Sequence, residues 1–442
     1  MPTLDALDVN SFLQVLSYLD ACTLGRMACS SLLLAVAAEE AQRRPALLVL
    51  KGSPAEVAQE MRTRLASRPT LVCLNYTEKE NRDDRGEDIL AFMQKILPKD
   101  TTVLAAQTNS LLCVPETNTL EEPRTHEDIG VLLATLPGAT SKAFHFSSRT
   151  LASDPRYDSD EEDDYSSEED DEAGSAPAAG AATAQADSAK KGGDWLASLS
   201  AGPPCETPET SAGTAAKSPE EADYEELFTL DPPPQVIIMH LAGNRGESLI
   251  KRLQDRYPEA AIIGGVAMGQ EVVVRDRAKD GRERASYGGG VGIMAICGNA
   301  PVYAMTSPLN GSQKAAQQLL CSSLQAAVAY AGKEERRILG ALLFTCNARQ
   351  TFGDANQFLQ QVPKAQLLGC YAGGEIGPRA TKDLFVRGSA CAQGFTAVFG
   401  VFLVPDKQAP SVHFQRAMLQ GQVREAYNAL RPRERGACGV SS

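Results

Sequence analysis

The residues best suited to chemistry are concentrated between positions 340 and 377. Cys346 and Arg349 follow one apolar run, and Gly373, Gly374 and Glu375 follow the next. A guanidinium near a cysteine favours the thiolate, which is the nucleophilic form of the side chain. Arg349 and Glu375 offer opposite charges, which either bind the two ends of a small zwitterion or pair with each other. The spacing therefore indicates a small-molecule site or a structural salt bridge.

Catalysis by Cys346 would require a neighbouring base. Of the four histidines, only His240 is a plausible neighbour, because an internal repeat aligns it with Thr345. We therefore predict no catalytic residue, and we interpret Cys346 as a ligand-responsive or modifiable thiol. The eleven cysteines include no CxxC pair and no Cys/His cluster with metal-ligand spacing, so we expect no metal, no disulfide framework and no cofactor.

A βαβ unit is predicted to position these residues. Residues 341–344 form an apolar strand, residues 357–361 indicate a helix, and a second strand begins at Leu367. The loops after two parallel strands open at the same edge of a sheet, where such sheets bind ligands. The glycines at this edge either allow a bound group to approach the backbone closely or only form tight turns.

The same unit recurs twice. Residues 235–270 superpose on the first unit with an offset of 105 positions, which places Pro258 on Pro363. A looser copy has strands at 71–76 and 102–106 and a helix at 87–97. Further strands follow the copies, and we predict hairpins in which 129–136 pairs with 143–146 and 291–297 pairs with 302–306. The fold class is therefore α/β (α+β), built from duplicated modules.

Charge and hydropathy limit the possible classes of function. The net charge is -13, but residues 154–172 alone hold twelve carboxylates and a single arginine. The rest of the chain is close to neutral, which argues against a nucleic-acid surface. The longest apolar run, 32–38, is too short to span a membrane, and the acidic N-terminus is unlike a signal peptide. We expect a protein located in the cytoplasm, the nucleus or both, with reduced thiols.

Residues 151–231 are predicted to form a disordered acidic and Pro/Ala/Ser-rich insertion, because their composition cannot bury enough apolar surface. Within it, 224–230 could be a short docking segment. Three serines have a carboxylate three positions later and are candidate phosphorylation sites: Ser159, Ser166 and Ser167. The alternative is a solvated spacer without a regulatory role.

The first 44 residues predict three short helices that cannot bury their own apolar faces. The run at 11–35 resembles an F-box, although Asp8 stands where that family usually has proline and no tryptophan follows Cys29. The resemblance implies contacts with a Skp1-type adaptor through Leu7, Val15, Leu16, Leu19, Leu24 and Met27. The alternative is an amphipathic helical cap on the α/β body.

The α/β body resembles the FIST module of F-box and intracellular signal-transduction proteins. The resemblance is carried by Cys346, Arg349 and Gly353, by the Gly-Glu-Ile-Gly turn at 374–377, and by the glycine pair after Ile263. It implies a ligand-sensing module with an amino-acid-like ligand, for which the candidate site residues are Cys346, Arg349, Gly373, Gly374, Glu375, Gly264 and Gly265.

These observations predict a non-catalytic substrate receptor of a cullin-RING ubiquitin ligase, in which the FIST module selects the protein substrate. The alternative is a small-molecule sensor that acts without ligase assembly. The expected segments are the F-box at 1–44, the FIST N-terminal part at 46–150, the insertion at 151–231, the middle βαβ unit at 235–310, the FIST C-terminal part at 311–405 and a tail at 406–442.

Overall fold

The computed structural model describes most of the α/β body. The described residues are Thr23, Arg26, 36–40, 44–65, 69–77, 85–108, 110–115, 128–148, 218–242, 246–267, 269, 271–278, 280–299, 302–308, 312–363, 365–379 and 389–406. All of them except Ser218 belong to a compact unit formed by Met1–Tyr157 and Pro219–Ser442. The six predicted Skp1-contact residues, the three candidate phosphorylation serines and the tail after 406 lie outside the described residues.

Seventeen strands and six α-helices are present in the described part of the chain. The strands are β1 Ala46–Gly52, β2 Leu71–Thr77, β3 Thr102–Thr108, β4 Leu111–Val114, β5 Ile129–Thr135, β6 Ala139–Phe146, β7 Pro234–Leu241, β8 Ala261–Val266, β9 Val272–Arg277, β10 Glu283–Gly288, β11 Val291–Gly298, β12 Val302–Pro308, β13 Arg336–Cys346, β14 Gln366–Ala372, β15 Glu375–Pro378, β16 Ala390–Gln393 and β17 Thr396–Pro405. The helices are α1 Pro54–Arg64, α2 Arg85–Ile96, α3 Pro219–Phe228, α4 Glu247–Arg256, α5 Gln313–Lys333 and α6 Asp354–Gln361.

Three parallel strand pairs confirm the predicted βαβ units. Strand β2 pairs with β3 across α2, β7 pairs with β8 across α4, and β13 pairs with β14 across α6. Each unit is preceded by a strand and a helix, which are β1 and α1, β6 and α3, and β12 and α5. The described part of the chain therefore contains three copies of one arrangement.

Each of the three sheets is built around one parallel pair. The first sheet has the order β1-β5-β2-β3-β9-β10, the second β6-β11-β7-β8-β15-β16, and the third β12-β17-β13-β14-β4. The first four strands of every sheet come from one repeat, and the remaining strands come from another. Repeat one (β1–β5) contributes β4 to the third sheet. Repeat two (β6–β11) contributes β9 and β10 to the first sheet, and repeat three (β12–β17) contributes β15 and β16 to the second. This cyclic exchange joins the repeats into one body.

The two predicted hairpins are wrong. Strand β5 pairs with β1 and β2 in the first sheet, whereas β6 pairs with β11 in the second. Likewise, β11 lies in the second sheet and β12 pairs with β17 in the third. The turns at Gly138 and Gly298 are tight and have positive φ values of 79° and 87°, but they carry the chain from one sheet to the next. An alternating pattern identifies a strand and its buried face, but not its partner.

One apolar core fills the space between the three sheets. It contains Leu132, Ile238 and Phe344, one from each sheet. A separate cluster covers the outer face of each sheet: α1 and α2 pack on the first, α3 and α4 on the second, and α5 and α6 on the third. The central strands are therefore buried on both faces, which explains their continuous apolar sequences.

Local signals fix the beginnings of two helices. Ser53 and Glu56 form a capping box at α1, and the Ser312 hydroxyl accepts a hydrogen bond from Ala315 N at α5. In the described part of the chain, no helix combines the length and apolar composition needed to cross a membrane.

The predicted insertion at 151–231 extends too far at its C-terminal end, because α3 is part of the folded body. Leu227 of α3 is buried, and Tyr224 packs edge-on against Phe146 of β6. The Arg284 guanidinium, which is itself buried, forms ion pairs with Asp223 and Glu226 of α3 and with Asp276 of β9. Most of the residues inferred as a docking segment, 224–230, therefore belong to helix α3, which begins at Pro219.

Candidate functional site

The predicted loops share one edge of the third sheet. In the parallel register, Cys346 at the end of β13 lies opposite Ala372 at the end of β14. A 3₁₀ turn, Asn347–Arg349, follows β13, and the Gly373-Gly374 turn leads from β14 into β15 at Glu375. Strand β15 then pairs with β8, so this edge joins the third sheet to the second.

Arg349 pairs with Asp354, a partner that the sequence reasoning missed. The Arg349 Nη2 and Nε atoms lie 2.7 and 3.0 Å from the two Asp354 carboxylate oxygens, and the Thr345 hydroxyl donates to the same carboxylate at 2.8 Å. Arg349 is 1% exposed and Asp354 is also buried. Asp354 is the first residue of α6, where a negative charge is favoured by the helix dipole. An acidic residue at a helix start five positions after the arginine was the available signal.

The remaining nitrogen of Arg349 is not satisfied. Nη1 is buried and has no hydrogen-bond partner in the described part of the chain. The guanidinium carbon also lies 4.9 Å from the centre of the Phe352 ring, within the range of a cation–π contact. A buried donor without a partner is costly, so this atom is available to bind a group that lies outside the described residues.

Glu375 is fully buried, with 0% exposure. Its Oε2 atom accepts hydrogen bonds from Thr396 N at 3.1 Å and from the Thr396 hydroxyl at 2.9 Å. Its Oε1 atom is buried and has no partner among the described residues. Burial raises the pKa of Glu375 to about 7, although the Thr396 hydrogen bonds and the positive charge of Arg349 oppose this change.

Arg349 and Glu375 therefore do not pair with each other, which answers one alternative left open by the sequence. Each is bound on one side by its own partner, Asp354 or Thr396. Each keeps one buried atom that has no partner among the described residues, a donor on Arg349 and an acceptor on Glu375. The two groups are close enough to influence each other electrostatically. We name Arg349, Asp354, Glu375 and Thr396 the buried charge cluster.

The predicted glycines have different environments. A Cβ on Gly265 would contact Ala372, Phe344 and the Gly374 carbonyl, so this glycine permits close packing beside the cluster. A Cβ on Gly264 would instead meet the backbone of Met239 in the neighbouring strand.

The glycine turn uses its backbone for pairing with β8. Gly373 N donates to Val266 O at 3.0 Å, and Val266 N donates to Gly374 O at 2.8 Å. The Gly373 amide is therefore already engaged within the chain and is not available to a ligand. Gly264 and Gly373 thus serve strand packing and strand pairing.

Helix α5 holds the loop that carries Arg349. The Gln313 side chain donates to Thr351 O at 2.6 Å, and the Gln317 side chain donates to Phe352 O at 2.7 Å. Gly353, which precedes α6, has a φ of 67°, a conformation that glycine adopts without strain. The loop is thereby fixed between α5 and α6.

Cys346 and His240 do not form a catalytic dyad in the structure. Both residues are described, and no hydrogen bond between these two described side chains joins the thiol to the imidazole. His240 is buried with its ring 5.4 Å from that of Phe344, and burial lowers its pKa to about 4. Cys346 is 8% exposed, and the charge of the nearby Arg349 is offset by Asp354. The arrangement is suited to binding by charge and hydrogen bonding.

Within the described residues, no group of histidine, cysteine and carboxylate side chains could hold a metal ion. Comparison with known proteins found no matching family model and no matching curated sequence.

Proposed function

We propose that this protein is the substrate-recognition subunit of a Skp1-cullin-F-box ubiquitin ligase of the cytoplasm or nucleus. In this proposal the N-terminal 44 residues bind a Skp1-type adaptor, and the α/β body binds the protein substrate together with a small amino-acid-like ligand. The chain performs no ubiquitin transfer itself. The resemblance to F-box and FIST sequences supports the ligase assignment, and the buried charge cluster supports the ligand.

The observation that carries the ligand-binding role is the pair of unsatisfied atoms. Arg349 Nη1 offers a donor with positive charge, and Glu375 Oε1 offers an acceptor. A zwitterion presents the complementary groups, a carboxylate and an ammonium. Both protein groups are held by other residues before any ligand arrives, so little ordering entropy would be lost on binding.

Thermal unfolding of the full-length chain tests this role. We expect zwitterionic amino acids to raise the melting temperature in a concentration-dependent way, because a ligand that binds only the folded state stabilises it. Acetate and methylammonium, each carrying one charge, should have much smaller effects. Glu375→Gln should abolish the response, whereas Glu60→Gln on the exposed face of α1 should retain it. A wild-type protein that responds to no amino acid at millimolar concentrations would contradict the ligand proposal.

Co-purification with Skp1 and cullin tests the ligase assignment. We expect the full-length chain to bind both proteins, and a Leu16→Asp plus Leu19→Asp variant to bind neither, because charged residues cannot occupy an apolar interface. If the wild type binds neither protein, the ligase proposal fails while the ligand proposal stands.

A second candidate is a sensor whose N-terminal helices only cap the body. It is favoured by the burial of Val36, Ala37 and Ala38. It is also favoured by the partly buried Arg44, whose pKa is lowered by burial and by the nearby positive charge of Arg337 at the start of β13. Deleting residues 1–44 separates the candidates. The sensor should unfold or lose much of its stability, whereas the receptor should remain folded and soluble.

A further inference from the structure

Ser307, near the end of β12, carries another buried polar atom without a partner. The residue is 0% exposed, and its Oγ atom has no hydrogen-bond partner among the described residues. A buried hydroxyl in this state destabilises the folded chain, and native proteins contain few of them. Alanine at this position would avoid the cost, so the hydroxyl is better explained by a role outside folding.

The strand register places Ser307 on the face of the third sheet that carries the Arg349–Asp354 pair. Ser307 of β12 lies opposite Ala397 of β17, and Ala397 in turn lies opposite Thr345 of β13. Residues directly opposite each other in neighbouring strands have their side chains on the same face. The Thr345 hydroxyl donates to Asp354, which binds Arg349. Ser307 is therefore two strands away from the residue that supports this ion pair.

Helices α5 and α6 cover this face. Tyr303 and Met305 alternate with Ser307 along β12, and both belong with Ala397 to the apolar cluster beneath the two helices. Ala397 contributes only a methyl group between the hydroxyls of Ser307 and Thr345. The end of this covered face thus has a polar group on either side of a small residue.

The other half of the buried charge cluster is held by the neighbouring strand pair. Thr396, which donates two hydrogen bonds to Glu375, lies opposite Pro308, the residue that follows Ser307. Three buried atoms without partners among the described residues are therefore held around one end of the third sheet: Ser307 Oγ, Arg349 Nη1 and Glu375 Oε1.

We infer that Ser307 is a third ligand-binding residue, and that the ligand is an amino acid whose side chain ends in an uncharged hydrogen-bonding group, a hydroxyl or a carboxamide. This inference rests on the ligand-binding role proposed above for Arg349 and Glu375. Those two residues bind the carboxylate and the ammonium, which leaves Ser307 for the ligand's side chain.

The chemistry of serine defines the class of side chain. A hydroxyl both donates and accepts hydrogen bonds, so it matches another hydroxyl or an amide. An apolar side chain would leave Ser307 Oγ without a partner in the complex, and a site that contains an unpaired polar group discriminates against such a ligand. A charged side chain would require a counter-ion, which a neutral serine does not supply.

Two pairs of amino acids of similar shape test the inference on the full-length chain: serine against 2-aminobutyrate, and asparagine against leucine. We expect the wild type to bind the polar member of at least one pair at least tenfold more tightly by titration calorimetry. Ser307→Ala should lose this preference and still bind the apolar member within twofold of the wild type. Ser322→Ala, at an exposed position of α5, is the matched control and should keep the preference.

Thermal unfolding without ligand provides a second readout. Ser307→Ala should melt at or above the temperature of the wild type, because the substitution removes a buried hydroxyl that has no partner. A melting temperature lower by more than about 3 °C would show that the hydroxyl stabilises the fold, and would overturn the inference.

The binding data separate this inference from the proposed function. If the wild type binds amino acids but binds both members of each pair within twofold, or if Ser307→Ala keeps the preference, the role of Ser307 is wrong and the zwitterion site stands. If the wild type binds no amino acid, the proposed ligand-binding role fails and this inference fails with it.

Discussion

Replacing Glu375 by glutamine is expected to change how stability depends on pH. The folded chain holds the Glu375 proton up to a pKa of about 7, whereas the unfolded chain releases it near the ordinary value of 4.5. Between these values the folded state binds more protons, so rising pH favours unfolding. The contribution of this carboxyl is therefore fully present below pH 4.5 and is lost as pH rises to about 7. The loss is about 1.4 kcal/mol per pH unit and about 3 kcal/mol in total.

Glutamine has nearly the same shape and no charge to bury. The free energy of unfolding of Glu375→Gln, relative to that of the wild type, should therefore increase by about 3 kcal/mol between pH 4.5 and 7 and then remain constant. His240 has a lowered pKa of about 4, so its own contribution is lost as pH falls from 6.5 towards 4. That contribution is shared by both proteins and cancels in the difference. Urea unfolding followed by circular dichroism at pH 4.5, 5.5, 6.5 and 7.5 measures the effect.

A second variant checks the cause. The Thr396 hydroxyl donates to the Glu375 carboxylate at 2.9 Å and favours its charged form. Thr396→Val should therefore lose more stability at pH 7.5 than at pH 4.5, which is the opposite trend to glutamine at 375. If the difference between Glu375→Gln and the wild type does not vary between pH 4.5 and 7.5, burial does not penalise this charge and the reasoning is wrong.

Three further predictions concern the body. Asp354→Asn should cost about 3–5 kcal/mol in urea unfolding, because it leaves the buried Arg349 charge without its partner, and replacing both residues by apolar ones should recover part of this loss. Replacing residues 149–217 by a linker of about five residues should stabilise the body by about 2 kcal/mol, because Ser147 N already lies 2.6 Å from the Glu220 carboxylate; a loss of stability would contradict this. Separately expressed fragments 1–148 and 218–442 should form a stable complex on gel filtration, since β4, β6 and β9 pair across the two fragments, and independent elution would disprove the strand exchange.

The repeat units and their parallel pairs were predictable because the signals are local. The offset of 105 positions correctly aligned β7 with β13 and β8 with β14, and the strand polarity correctly placed Cys346 and Glu375 at the two loops of one edge. The exchange of strands between sheets was not predictable from pattern. An apolar strand is equally compatible with several partners, and the choice depends on which strands complete a core shared by all three repeats.

For the candidate site, the sequence by itself determined the residue types, their order and the edge on which they lie. The tertiary structure decided the partners: Asp354 for Arg349, and Thr396 for Glu375. Thr396 comes from a strand 21 positions away, in a different sheet from Glu375, so no spacing rule could have joined them. The burial of these side chains was also decided by the tertiary structure. The packed sheets exclude water, which raises the pKa of Glu375 and leaves one Arg349 nitrogen without a partner among the described residues.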